Sequence, residues 1–436
     1  MVPAWLADRD RRFLSGRVRS TVRREGAELQ IDMANTVQIN PEILSWARET
    51  AGLSVAEAAE KLGLKATIKA TAAEKLLQVE SGARPISHGL LQSAVSTYRR
   101  PLITFYLPRP PVRGERGEDF RTVTGAVSPR DNATLDALIR DVRARQQMLR
   151  EVLVDDENAQ ELPFVASCRI GDGINKVEAS IRATLGITVD DQRRAKDPAA
   201  LFSSLRAAAE RAGIYILLLG DLGSHHSDIG EDVFRGFALA DDFTPFVVIN
   251  DNDAAAARSF TLVHELAHIW IGASGVSGPL RGASENIVER FCNGIAGEFL
   301  LPAAAVAGLG DIQGAEVARV LAVTSDVARA WNVSQGVVTY RLLSNGWISD
   351  DVAAAMFRVF SDRWRVERQR AQQAREPGEL GPDYYVVRRS RLGAALLDVV
   401  RRALQADTLT HTKAAKILGV KPTAVDKLLR ERQRAA

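Results

Sequence analysis

Residues 258–270 read RSFTLVHELAHIW, in which two histidines four positions apart enclose a glutamate within a largely apolar segment. Residues i and i+4 of an α-helix lie on the same face, so His264 and His268 are placed to bind one ion. Neutral imidazoles suit zinc, and Glu265 stands beside them to take a proton from a water that the metal activates. A plain core helix is the alternative, but burying these side chains without a function is costly. The pattern therefore predicts a helical zinc site of the metalloprotease type.

A zinc site of this class needs a third protein ligand. The four histidines outside the motif lie in flanking helical regions or in a polar loop: His88, His225, His226 and His411. A carboxylate is therefore the better candidate, and the next predicted helix, which starts near Ser284, offers Glu285, Glu289 and Glu298. Glu289 lies nearest to the apolar face of that helix. We choose Glu289 as the third ligand, with Glu285 in reserve.

Composition excludes several classes of protein. The chain has 436 residues, which favours two to four domains, and its net charge of +3 is small for a protein that coats nucleic acid. The two cysteines, Cys168 and Cys292, are far apart, which argues against a disulfide framework or a cysteine-based zinc finger. The sequence contains no apolar run long enough for a membrane span and no visible secretory signal. We expect a cytoplasmic protein with no membrane partner.

The pattern along the chain divides it into five regions. The expected regions are a disordered or non-native tail at 1–35, a helix-turn-helix domain at 36–108, a linker and helix at 109–160, a zinc-peptidase domain at 161–345 and a C-terminal helical domain at 346–436. Met33 is the expected natural start, because helical periodicity begins just after it. Three strand-like runs precede the histidine motif, and a further helix follows it. The order predicts an α+β core within a multi-domain, mainly α protein.

Two blocks of sequence resemble the ImmA/IrrE family of zinc metallopeptidases. They are FRGFALADDFTPFVVINDNDAAAARSFTLVHELAHIW at 234–270 and VERFCNGIAGEFLLP at 288–302. The family's metal ligands are the two motif histidines and a glutamate four residues before the asparagine of E-x-x-C-N. The resemblance thus implies Zn²⁺ bound by His264, His268 and Glu289, with Glu265 as general base.

The same resemblance implies a fold and a way to bind substrate. The core would be gluzincin-like, with a small sheet packed on the active-site helix. The strand PFVVIN, 245–250, would be the sheet edge that a substrate peptide joins. Tyr340 and His225 are candidates for an additional catalytic donor to the oxyanion, and plain helix packing is the alternative role for Tyr340.

The N-terminal segment LSWARETAGLSVAEAAEKLGL and the residues after it resemble an XRE-type helix-turn-helix domain. The helix that starts near Ser54 would be the first of the pair. The next segment, KATIKATAAEKLLQVESG, departs from the pattern, because it contains an insertion and is rich in Ala and Leu where base-reading residues are expected. Lys69, Lys75 and Arg84 are the candidate phosphate contacts. The alternative is a docking module that does not bind DNA.

The C-terminal region is basic and ends in a second helix-turn-helix-like pattern. Arg388 and Arg389 are its candidate nucleic-acid contacts. A solvated helix face or an interface with the peptidase explains the same charges. DNA is therefore a candidate partner through either end of the chain.

These features together predict a zinc-dependent endopeptidase. By resemblance, it would cleave a specific regulatory protein, a transcriptional repressor, in a stress, DNA-damage or phage response. One alternative is an XRE-family transcription regulator or antitoxin-like protein whose zinc domain is a sensor or interaction module. The other is an interaction scaffold with vestigial peptidase activity. A homodimer is the candidate assembly for this chain.

Overall fold

The computed structural model describes residues 36–111, 118–119, 128–155, 159–223, 227–277, 286–373 and 383–430. The expected tail at 1–35, with Met33, lies outside these ranges, as do His225, His226 and Glu285. The protein is mainly helical with small sheets, as the sequence predicts.

Helices form most of the described chain. The first nine are α1 (Pro41–Thr50), α2 (Val55–Lys61), α3 (Ala72–Glu80), α4 (His88–Tyr98), α5 (Pro129–Val154), α6 (Ile174–Leu185), α7 (Val189–Arg193), α8 (Pro198–Arg211) and α9 (Ala255–Trp270). The remainder are α10 (Ile287–Leu300), α11 (Ala303–Val306), α12 (Val317–Trp331), α13 (Gln335–Ser344), α14 (Asp350–Gln373), α15 (Tyr384–Leu392), α16 (Ala394–Gln405), α17 (His411–Leu418) and α18 (Val425–Leu429).

The strands form two sheets. They are β1 (Thr36–Val37), β2 (Ile86–Ser87), β3 (Glu118–Asp119), β4 (Tyr215–Leu218), β5 (Gly236–Leu239), β6 (Phe246–Ile249) and β7 (Gly275–Ser277). β1 and β2 pair with each other, and the other five form a mixed sheet in the order β3-β7-β5-β6-β4.

The order of the five-stranded sheet corrects one expectation. β6, the PFVVIN strand, lies between β4, to which it is parallel, and β5, to which it is antiparallel. Both of its edges are therefore paired, and the prediction that it accepts a substrate strand is wrong. A short apolar run predicts a strand but not its neighbours, since pairing is decided by residues far away in the sequence.

Both faces of this sheet are covered. Side chains along β4, β5 and β6 alternate in direction, so each strand contributes to two apolar clusters. The α9 face carries Ile216, Leu218, Ala238, Val247 and Ile249, and packs against α6, α8, α9 and α10. The α5 face carries Tyr215, Leu217, Phe237, Leu239, Phe246 and Val248, and packs against α5, α16 and α17. The helix before the histidine motif and the helices near the C-terminal end of the described chain thus share one core on the α5 face.

The N-terminal helices α1 to α4 enclose a third apolar cluster of their own. Ser54 caps α2 and Thr71 caps α3, each in a capping box with a glutamate three residues later. A buried ion pair joins α1 to α3, with Arg48 Nε 2.8 Å from Glu80 Oε1. The helix α2 begins directly after its cap Ser54, as the sequence predicts.

Membrane insertion has no support in the described ranges, where every helix is too short or too polar to cross a bilayer.

Asn250, directly after β6, ties the loop before β5 to the sheet. Its fully buried side-chain amide donates to the carbonyl oxygens of Ile229 and Phe234, each at 3.1 Å. Its Oδ1 accepts from the backbone N–H of Asn252 at 2.9 Å. One side chain thus satisfies several backbone groups at the end of the central strand.

We expect Asn250→Ala to lower the free energy of unfolding by about 1–3 kcal/mol, because buried carbonyl groups lose their donor. Urea denaturation followed by circular dichroism measures the change. The exposed Asn345 is the matched control, and Asn345→Ala should change the free energy by less than about 0.5 kcal/mol. Equal effects of the two substitutions would contradict this role for Asn250.

Candidate metal centre

Three buried side chains from two helices converge at one point. His264 and His268 of α9 and Glu289 of α10 each offer a ligand atom, and these atoms lie within 4.8 Å of one another. His268 Nε2 is 3.1 Å from His264 Nε2 and 3.1 Å from Glu289 Oε1. His264 Nε2 is 3.4 Å from Glu289 Oε2. The arrangement is a cluster of two imidazole nitrogens and one carboxylate.

These separations fit a zinc ion. Zinc bonds of 2.0–2.1 Å in a tetrahedron place two ligand atoms about 3.3 Å apart. The three measured distances, 3.1, 3.1 and 3.4 Å, are close to that value. Two histidines and one glutamate are also a donor set of catalytic zinc sites. The residues present therefore fit the metal that the sequence suggests.

Local structure explains how Glu289 reaches the histidines. Asn286 caps α10, and its Oδ1 accepts from the backbone N–H groups of Val288, at 2.8 Å, and Glu289, at 3.3 Å. Glu289 thus lies in the first helical turn, where the helix dipole favours a negative charge. α10 packs along α9, which brings this first turn to the face that carries both histidines.

Burial and mutual charge shift the pKa of each of the three side chains. Burial opposes charge on His264, but Glu289 and Glu265 outweigh it and raise the pKa of His264. Burial lowers the pKa of His268. Burial also opposes ionisation of Glu289, yet the charge of His264 and hydrogen bonds from both histidines lower the pKa of Glu289 to about 2. The charges of the metal-free centre thus favour a proton on His264 and a negative charge on Glu289, and a metal cation would compete with that proton.

Glu265 is fully buried on the sheet side of α9. Its carboxylate oxygens have no well-formed hydrogen bond within the described chain, although the Ser277 hydroxyl lies close enough to lower the pKa of Glu265. Burial raises the pKa of Glu265 to about 8, and the charge of His264 only partly offsets this effect. A buried carboxyl group with a raised pKa beside a cluster of candidate metal ligands is available to exchange a proton with a reactant.

Two residues of this site were missed by sequence reasoning. Ser277, at the end of β7, places its Oγ 3.0 Å from His264 Nε2. Gly236, at the start of β5, faces α9 so closely that a Cβ there would lie 2.7 Å from both Glu265 Oε1 and Thr261 Cγ2. Nothing in the residue types marks them, because their importance depends on strand pairing. The glycine leaves the space that the Glu265 side chain occupies.

The other sequence-based candidates lie away from the cluster. Tyr340 of α13 is buried against Phe260, with ring centroids 6.1 Å apart, and Phe260 in turn lies 6.3 Å from the ring of His264. Burial raises the pKa of Tyr340 to about 12. Glu298, the third glutamate considered, pairs with Arg341 at 2.5 Å. The catalytic role of Tyr340 stays a prediction.

The candidate nucleic-acid contacts are spread over the two ends of the chain. Lys69 and Arg84 are exposed, and Lys75 Nζ donates to the carbonyl oxygen of Lys65 at 2.8 Å. Arg388 is buried, with Nη2 donating to the carbonyl oxygen of Gly419 at 2.6 Å. Arg389 Nη1 donates to the carbonyl oxygens of Lys427 and Leu428, both at 3.2 Å. Both C-terminal arginines therefore serve contacts within the protein.

Comparison with known proteins points to the same region. Residues 209–343 match the Peptidase_M78 family model, described as the IrrE N-terminal-like domain. The match spans β4 to α13 and contains all three clustered residues. It supports the resemblance to the ImmA/IrrE family and a metallopeptidase-type function for this region. No curated protein and no solved structure matches the chain.

We expect the purified protein to bind one Zn²⁺ per chain after dialysis, as measured by inductively coupled plasma mass spectrometry. Substituting His264, His268 or Glu289 by Ala should weaken binding by about 100-fold or more, since even residues behind the ligands contribute ~10–100-fold. His411, exposed and paired with Asp426 at 3.0 Å, is the matched control. Equal zinc content in His411→Ala and His268→Ala proteins would contradict the site.

We expect Gly236→Ala to leave zinc content unchanged and to lower any hydrolytic activity by about tenfold or more. The added methyl group displaces Glu265 or moves α9 from the sheet, and small displacements of a reacting group are costly. Gly89→Ala is the control, because a Cβ on Gly89 meets no atom within 4 Å. Peptide hydrolysis and zinc content are measured on the same samples. Loss of zinc from Gly236→Ala would show that the glycine supports the ligands instead.

Proposed function

We propose that this protein is a zinc-dependent endopeptidase of the ImmA/IrrE type with a gluzincin-like site, and that it cleaves a specific regulatory protein in the cytoplasm. One observation carries the proposal, namely the convergence of His264, His268 and Glu289 beside the fully buried carboxyl group of Glu265. The family match over residues 209–343 supports it independently.

The roles of the residues follow from their positions. His264, His268 and Glu289 would hold the zinc, and a bound zinc supplies Lewis-acid polarisation of the scissile carbonyl and activation of a water. Glu265 takes the proton from the attacking water and delivers it to the leaving amine. A cation at the neighbouring ligands favours the ionised form of Glu265, which counters the effect of burial on its pKa. The buried surroundings strengthen each of these interactions.

The sheet edge beside the metal site supports a restricted choice of substrate. β7 carries Ser277, which contacts His264, and is paired with β5 on one side. On its other side β7 pairs in parallel with Glu118–Asp119 of the same chain. An extended substrate that joins β7 must replace this internal strand. Such competition disfavours weakly bound peptides, which is why we propose a specific protein, a repressor, as the substrate.

The regions that flank the peptidase domain are candidates for recognising that substrate or the DNA that it binds. We propose that residues 36–108 are an XRE-like helix-turn-helix domain, with α2 and α3 as the helix pair. The exposed side chains of α3 include Glu74, Leu77 and Gln78. Gln78 suits base recognition in the major groove, whereas the Glu74 carboxylate accepts from the backbone N–H of Thr71 at 2.7 Å. A DNA-binding regulator is therefore the second candidate function, and the exposed Lys69 and Arg84 are the contacts that favour it.

We expect Glu265→Gln to keep its zinc and to lower cleavage of the protein substrate by about 10²-fold or more, since it removes the general base. Proteomic mapping of new protein N-termini compares cells that express the native protein with cells that express the variant. The exposed Glu161 provides the control, and Glu161→Gln should leave the new N-termini unchanged.

The result separates the two functions. An unchanged set of new N-termini, together with unchanged gene regulation in Glu265→Gln cells, would contradict the peptidase and favour the DNA-binding regulator.

A further inference from the structure

A second cavity lies away from the metal centre, where three parts of the chain meet. Its volume is about 1550 Å³. The N-terminal helical region contributes Trp46 and Thr50 to its wall, α5 contributes residues 132–145, and the C-terminal region contributes Arg388 and Gly419. The loop after β4, at 219–223, completes the described lining. The cavity therefore touches the α5 face of the sheet that carries the metal centre on its other face.

The lining of this cavity is rich in arginine. The arginines are Arg99, Arg100, Arg140, Arg143, Arg145 and Arg388, and the acidic residues are Glu49, Asp136, Asp141 and Asp221. Asp221 is engaged by Arg391, which is outside the lining, at 2.8 Å. Positive charge therefore exceeds negative charge on the described walls.

Two of the arginines are buried beside each other. The Arg145 side chain is 8% exposed and pairs with Asp141 at 2.5 Å, but its Nε and Nη1 have no hydrogen-bond partner in the described chain. Arg388 donates to the carbonyl oxygen of Gly419, while its Nε has no partner. Burial lowers the pKa of Arg388, and the charge of Arg145 adds to this effect. Two like charges held together at low dielectric favour a counter-anion.

The backbone makes room for this pair. Gly419 follows α17 with φ of +60°, and a Cβ at this position would lie 2.5 Å from Arg145 Cζ. The guanidinium group therefore packs directly over the glycine. Its position depends both on the missing side chain of Gly419 and on the ion pair with Asp141.

A third arginine of the lining, Arg100 from the N-terminal region, is also incompletely paired. The Arg100 guanidinium lies over the Trp46 ring, 4.4 Å from its centroid, and Nη2 donates to Thr50 Oγ1 at 2.8 Å. Its Nε has no hydrogen-bond partner in the described chain. Burial lowers the pKa of Arg100 to about 10, and Arg140 adds to this effect. Two walls of one cavity thus each hold a buried, incompletely paired arginine.

We propose that this cavity binds a small phosphorylated anion that carries two or more phosphate charges. Arginine binds phosphate oxygens through paired N–H donors. A ligand with several phosphate oxygens can therefore contact guanidinium groups on two walls of the cavity, which a ligand with a single carboxylate cannot. The cavity exceeds the ~300–1,000 Å³ of typical ligand pockets, so an organic group fits beside the phosphates. A ligand here contacts the N-terminal helices, α5 and the C-terminal helices at once.

Isothermal titration calorimetry tests the proposal with pyrophosphate and ATP as probes. The protein is first stripped of metal and dialysed, so that phosphate cannot bind zinc and the result does not depend on peptidase activity. We expect saturable binding of at least one probe, weakened about tenfold or more in Arg145→Gln. Preference for ATP indicates an organic phosphate, and equal binding of both probes indicates a site for phosphate groups alone.

Two further variants make the test decisive. Arg365, 68% exposed on α14 and outside the cavity, is the matched control, and Arg365→Gln should bind as the native protein does. Arg143→Gln removes a less buried charge from the lining. If Arg145→Gln does not fold, the weaker binding of the probes by Arg143→Gln tests the proposal instead. Absence of binding, or equal binding in the Arg143→Gln, Arg145→Gln and native proteins, would overturn the proposal. Binding of a single-stranded oligonucleotide but of neither probe would also overturn it, in favour of a nucleic-acid groove.

Discussion

The packing of α10 along α9 is the contact on which the candidate site depends. It brings a carboxylate from the first turn of one helix to 3.1 Å from an imidazole of the other, Glu289 Oε1 to His268 Nε2. Both helices are largely buried, so neither can shift to relax the cluster. The apolar residues around the histidines therefore hold the ligands in place and exclude water. A plain core helix would use the same apolar residues but would not present three metal-binding groups to one point.

The five-stranded sheet connects this site to the rest of the chain. Its α9 face supports the helices that carry the candidate metal ligands, and Gly236 at the start of β5 leaves room for Glu265. Its α5 face shares a core with α5 and the C-terminal helices. Because the two faces belong to the same strands, a change in packing on one face can reach the other through the sheet. The arginine-lined cavity and the candidate metal centre thus lie beside opposite faces of one sheet.

Several features of the fold were predictable because they depend on local sequence. The i, i+4 spacing of His264 and His268 predicts their common face, and the apolar face of the next helix singles out Glu289. The Ser54 cap and the strand runs at 215–218, 236–239 and 246–249 also agree with the structure. The start of α10 differs slightly, at Ile287 and not near Ser284, because Asn286 provides the cap. In each case residues within one or two turns contain the necessary information.

Other features depend on contacts between distant residues. The family resemblance implied that β6 is an edge strand, yet β4 and β5 pair with both of its edges. Arg388 reads like an exposed basic residue, yet α15 places it against the backbone of Gly419.

The sequence by itself therefore determined the helices, their caps and the chemical character of the candidate metal ligands, since these follow from local spacing and side-chain type. Only the tertiary structure decided which strands lie inside the sheet and which arginines line one cavity. Strand order and burial are set by chain segments that meet only in the folded protein.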